Sequence, residues 1–186
     1  MRGNAERNRH NIMSFSRTDL KPWELAIIDK YPLIFTEDTD GVKSIAYRAN
    51  PETFVSLRSG FEHGEGWSSL IIKIADVGTK LVTHLRANGF PSSYISSCIC
   101  KEKFGTLNWQ GDRDLPEPFE ELWRAYVSKI ESESTFICEI TGEYGTLCRS
   151  ESGWLKTLSR EKAKELGYVD CEDHTESKNK PEIEPK

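Results

Sequence analysis

The chain has no run near the roughly 18 apolar residues that a membrane-spanning helix needs, which excludes that class of membrane protein. Its opening, MRGNAERNRHNIMSFSR, lacks the apolar stretch of a secretory signal, so export by that route is not expected. No CxxC pair occurs among the five cysteines. Without an export signal, these read as reduced thiols or metal ligands before disulfides. The phosphate-binding GxxxxGKS/T pattern, the GxSxG elbow, HExxH and the dinucleotide glycine pattern are all missing, which weighs against catalysis of those kinds. Apolar residues are sparse, at 37% against about 45–50% in an average domain. Basic residues are outnumbered, 25 to 30, and the net charge of -5 argues against broad electrostatic binding to duplex DNA.

What remains in 186 residues is enough for one domain with a small appendage. Residues 1–21 hold five cations against two carboxylates and few large apolar groups, and read as a mobile basic arm. Residues 169–186 read as a disordered acidic tail. Between them, PWELAIIDKY (22–31) predicts a short helix, stopped by Pro32, before a polar turn at EDTDG (37–41). Trp67, Leu70, Ile71, Ile74, Val77, Leu81 and Leu85 form one stripe at three- and four-residue steps, the pattern of a core-facing helix. ANGFP then stops it. YISSCIC (94–100) and FGTLNWQ (104–110) predict a β-hairpin around KEKFG, which is not a tight two-residue turn signature. A second amphipathic helix follows Pro116 and Pro118, with Phe119, Leu122, Trp123, Tyr126 and Ile130 as its apolar face. Residues 135–168 read as a compact unit of turn, short strands and helix, with Gly153-Trp154-Leu155 in its second strand and Ser159 as an N-cap.

Three blocks, GFEHGEGW (60–67), CKEKFGTLNW (100–109) and CEITGEYGTLCRSESGWLKTLS (138–159), occur in this order. They resemble an uncharacterised family of small phage, prophage and bacterial proteins, in which the pattern runs roughly GFECGDGW, VKEKFGTLRFY and CEVCG…GGWLRTLCxxH. The likeness spans about residues 22–167. It implies an architecture and an origin, and no activity. In the family, CxxCG followed by CxxH resembles a treble-clef zinc site, whose ion needs four tetrahedral ligands. Here Cys138 alone stands at a ligand position; Thr141, Ser159 and Lys162 occupy the other three, while Gly142 and Gly153-Trp154-Leu155 are kept. The resemblance therefore implies a degenerate, metal-free module. Its hydroxyls at 141 and 159 would replace thiolates, and Trp154 and Leu147 would carry the packing. A displaced zinc site using Cys138, Cys148, Cys171 and His174 is the competing reading. No cofactor is expected under the first and zinc under the second.

Other residues bear chemistry. Glu62, His63 and Glu65 lie between glycines ahead of a helix. They can be read as a hydrolytic or metal-binding cluster, or as a glycine-rich turn whose acids complement the helix dipole. Lys101 and Lys103 share a strand face and can meet phosphate or an acidic partner, while Glu102 points the other way. Cys98 and Cys100, two apart, are expected on one strand face as small packing groups. Arg149, Lys156, Arg160, Lys162 and Lys164 cluster in sequence around Trp154, a stacking surface for nucleic acid. The expected fold is α+β, with amphipathic helices on a small antiparallel sheet and a C-terminal degenerate treble-clef-like module. The expected function is a non-enzymatic interaction protein in a bacterial cytoplasm that binds or inhibits a protein partner. A nucleic-acid-binding module and a metal-dependent hydrolase or nuclease are the alternatives.

Overall fold

The computed structural model describes residues 17–36, 55–57 and 59–170. The turn at 37–41, residues 1–16 of the basic arm and residues 171–186 of the tail lie outside the described residues. The fold is α+β, built from a helical core on one three-stranded sheet and a C-terminal unit on another. No helix among the described residues is long and apolar enough to cross a membrane.

The core begins earlier than composition indicates. Arg17–Asp19 is a 3-10 turn, Leu20 is buried in the core, and the Arg17 guanidinium pairs with Asp29. Helix α1 (Pro22–Lys30) follows, with proline at its first position and the Glu24 carboxylate accepting the Lys21 N–H at 2.6 Å. Pro32 ends α1 and opens α2 (Pro32–Phe35), whose Ile34 and Phe35 are fully buried. Strand β1 (Phe61–Glu62) and a 3-10 turn (Glu65–Trp67) lead into α3 (Ser68–Ala87). Of the expected stripe, Trp67, Leu70, Ile71, Ile74 and Leu85 are buried and Val77 and Leu81 partly so. Gly78 completes this face: a Cβ there would sit 3.0 Å from both the Ile34 side chain and the Trp123 ring, so its absence lets α2 and the next helix close on α3.

β2 (Tyr94–Lys103) and β3 (Thr106–Asp114) form the expected hairpin. β1 joins β2 in parallel, so this sheet is mixed rather than antiparallel. The turn is also tighter than its sequence indicates. Lys103 pairs directly with Thr106, and Phe104 and Gly105 both have positive φ (55° and 79°), the two-residue geometry that matches strand twist. α4 (Phe119–Ser134) lies along β3. Its Trp123 meets Trp109 edge-on at 5.6 Å, and Ser134 and Glu131 accept the Leu107 and Trp109 N–H groups, each at 2.8 Å. Those donors would otherwise lie unpaired on a strand edge. Leu122, expected on the apolar face, is 62% exposed; Val127 takes the place facing the core.

The C-terminal unit starts with a tight loop. Ile137 bridges Tyr144, the Cys138 N–H donates to Glu143 O, and Gly142 (φ 76°) donates to Cys138 O. β4 (Thr146–Ser150) lies between β5 (Leu155–Leu158) and β6 (Tyr168–Asp170), both antiparallel to it. Gly153 and Trp154 precede β5 rather than lying in it, and residues 169 and 170 belong to β6 rather than to a tail. Helix α5 (Arg160–Leu166) starts on Ser159, whose hydroxyl accepts the Lys162 N–H as expected, and ends on Gly167 (φ 72°).

Backbone contacts dock this unit on the core. Gly66 N–H donates to Glu139 O at 2.8 Å, and the Trp67 indole donates to Ile137 O at 2.7 Å. A Cβ at Gly64 would overlap the Glu139 carbonyl, and one at Gly66 the Cys138 carbonyl and Gly142 nitrogen. At the hairpin tip, Thr157 donates its hydroxyl to Gly105 O at 2.6 Å, and a Cβ at Gly105 would overlap Leu147. The three blocks of the sequence thus meet at one seam. Gly66→Ala is expected to lower the unfolding free energy in urea by about 3 kcal/mol or more, since backbone must move. Gly153→Ala, with open space around its Cβ, should lose only about 1 kcal/mol from its left-handed φ. Equal losses would contradict the seam.

Candidate functional site

The Glu62, His63 and Glu65 cluster does not assemble. Glu62 and Glu65 face solvent, whereas the His63 ring is buried between Trp23, Phe61 and Trp67, with ring centres 5.7–5.8 Å away. Nδ1 lies 2.8 Å from Gly64 O, an acceptor only, so that nitrogen carries the proton. Nε2 is then left to accept from the Cys100 thiol at 3.4 Å. Burial pushes His63 down to a pKa of about 4, and the Lys21 charge adds to this; the bond to Gly64 opposes them without prevailing. Burial likewise raises the Cys100 thiol well above its ordinary range, helped by the Glu131 charge. Both groups stay neutral at pH 7, the opposite of an activated thiolate–imidazolium pair.

Cys98 and Cys100 do not share a strand face. The β2–β3 register shifts between Ser97 and Ile99, a bulge at Cys98, whose thiol turns to Asp112 at 3.6 Å while Cys100 is buried.

The basic residues do not form one patch. Lys156 pairs with buried Glu139, and Lys162 with Glu165 at 2.7 Å. Arg149 lies on the sheet face that meets the hairpin tip, in register with Leu155 and Val169. Arg160 and Lys164 line a cleft of about 620 Å³ on the other face, with Tyr144, Cys148 and Tyr168. Across residues 136–170 there are five Lys and Arg against six Asp and Glu, so the unit is not basic. Lys101 is half-buried next to Glu62 across the strands, and exposed Lys103 holds its ammonium 5.7 Å from the centre of the Phe104 ring. Trp154 does not carry packing: it is 70% exposed, whereas Leu147 contacts the tip at Gly105.

The residues that the resemblance places at ligand positions do not together suit zinc. Burial alone would raise the Cys138 thiol, but hydrogen bonds from the Thr141 hydroxyl and the N–H groups of Ser159, Thr141 and Ile140 outweigh it and bring the pKa below the ordinary value. Cys138 is thus a competent ligand by itself, but the Thr141 and Ser159 hydroxyls and the Lys162 ammonium are poor zinc ligands. Among the described residues no three His, Cys, Asp or Glu side chains gather as a metal site. Cys171 and His174 of the displaced-site reading lie outside the described residues, and Cys148 is buried beside Thr146.

Sequence reasoning missed the exposed groups around β4. Phe104 (72% exposed) falls in the expected hairpin turn and Val169 in the expected tail, so their exposure follows from position, but nothing in the sequence shows that both come to lie beside the β4 sheet. No family model, characterised protein or solved structure matches the chain.

His63 supplies a pH test. The unfolded chain holds this imidazole near 6.5 and the folded one near 4, so the unfolded state binds the extra proton between these values. The stability present above pH 6.5 is therefore lost as pH falls through 4, by up to about 3 kcal/mol. The difference in unfolding free energy between wild type and His63→Phe should shrink by that amount from pH 7 to pH 3.5. A folded-state imidazole resonance titrating near 6.5 would contradict it.

Proposed function

We propose that this chain is a non-enzymatic interaction protein that binds, and by binding inhibits, a protein partner through its C-terminal unit. One observation carries the reading. Of the nine large apolar side chains exposed among the described residues, six lie in residues 136–170: Phe136, Tyr144, Leu147, Trp154, Leu166 and Val169. Their concentration in this small unit, on both faces of its sheet, favours the unit as the part that meets a partner. Beyond the hairpin tip, the part of the sheet around Arg149 has the composition of an interface centre, with Arg149 between Leu155 and Val169 and Trp154 preceding β5. Arg149 makes no ion pair or hydrogen bond through its side chain among the described residues, so its charge is available to a partner.

The nucleic-acid reading has less support. Two of its five cations are held in ion pairs, and the sheet separates Arg149 from Arg160 and Lys164. We further infer a treble-clef-like unit whose zinc has been replaced by hydrogen bonds on Cys138, which supports descent from the phage, prophage and bacterial family that the three blocks resemble. The four cysteines among the described residues are free thiols, which favours a reducing compartment such as a bacterial cytoplasm.

The test is affinity capture from the native host with wild type and the Arg149→Ala/Trp154→Ala double variant. A stoichiometric protein partner should be held by wild type, and its affinity should fall at least about 30-fold in the variant. Melting temperature should hardly change, because both side chains are at the surface. Equal retention by the two proteins, or repeated absence of any stoichiometric partner, would remove the proposal.

A further inference from the structure

We propose that Phe104, at the tip of the β2–β3 hairpin, is an anchor that inserts into an apolar pocket of a partner protein, a pocket with a carboxylate at its rim facing Lys103. This rests on the interaction reading above and adds to it the residue and the chemistry of the contact. Two independent observations converge on the residue. The first is conformational. Phe104 has φ 55°, the left-handed region that bulky side chains avoid, at the position of a two-residue turn where asparagine before glycine is the favoured choice. The second is its surroundings. The ring is 72% exposed, so burial does not repay the strain. The neighbouring Gly105, not Phe104, makes the seam: it accepts from Thr157, donates to Glu102 and lies against Leu147.

A strained, exposed aromatic ring that the fold does not use is a feature that weakens the monomer and benefits an interface. Charge complementarity specifies the rim. Lys103 is exposed with its ammonium over the same ring and has no ion pair among the described residues, so ring and charge present a joint apolar and cationic knob. Glu102 is occupied on the Gly105 N–H, and Lys101, further along the strand, lies in register with Glu62. The carboxylate that completes the site must therefore come from the partner, opposite Lys103.

Two measurements on the full chain test the inference. Phe104→Asn should raise the melting temperature by about 3 °C, because the turn gains a residue suited to its backbone. A lower melting temperature would show that the ring is structural and overturn the inference. Phe104→benzoylphenylalanine, irradiated in the native host, should give one major adduct with another protein. The crosslinked peptide should be apolar with an Asp or Glu in it, and Lys103→Glu should reduce the adduct at least tenfold. An adduct with a second copy of this chain, with nucleic acid, or at a basic segment would overturn the inference, as would no adduct. If the Arg149- and Trp154-dependent partner is still captured while position 104 gives no adduct, the anchor fails and the interaction reading stands. Loss of both removes the reading itself.

Discussion

The C-terminal unit depends on a backbone-to-backbone contact that glycine alone permits. The loop at 64–66 approaches the loop at 138–142 so closely that a single methyl group at either glycine would overlap main-chain atoms. The contact is held by the Gly66 N–H on Glu139 O and by the Trp67 indole on Ile137 O. Glu139 is its centre. Its carbonyl receives the core, its N–H donates to Thr157 O, and its buried carboxylate pairs with Lys156. One carboxylate oxygen, Oε2, finds no hydrogen-bond partner among the described residues, and burial raises the Glu139 pKa against the opposing Lys156 bond and charge. Lys156 is thus committed to the fold, because removing it would leave a buried charge uncompensated.

This contact reassigns the residues with the strongest chemical appearance. The glycines around His63 admit the neighbouring unit, and the imidazole turns inward as a neutral packing group with one bond to Gly64 and one from Cys100. The glycine of KEKFG seats the hairpin on β4 and β5, while its phenylalanine remains outside. Cys138 holds together the loop and the start of α5 by accepting hydrogen bonds from both. In this arrangement most of each block serves architecture, and the large side chains that remain at the surface include Arg149, Trp154, Val169 and Phe104.

Much of this was legible in the sequence where a single element decides the outcome. The α3 stripe from Trp67 to Leu85 follows helical spacing, and the Ser159 cap follows from one hydroxyl ahead of a helix. Legibility ended where distant parts decide. Leu122 and Val127 are equally apolar, and only the way α4 lies on β3 and α3 exposes the first and buries the second. The tight turn was hidden because phenylalanine is an unfavoured residue for its geometry. The bulge at Cys98 breaks an alternation that spacing alone would continue. The seam joins Gly66 to Glu139 through main-chain atoms, which carry no side-chain signature.

Native-state hydrogen exchange tests the seam most directly. The amides of Gly66 and Gly142 should exchange only by global opening, with the same free energy as those of Ile74 and Ala75 in α3. Exchange of the Gly142 and Cys138 amides at a distinctly lower free energy, while α3 stays protected, would show that the C-terminal unit opens independently and would contradict it.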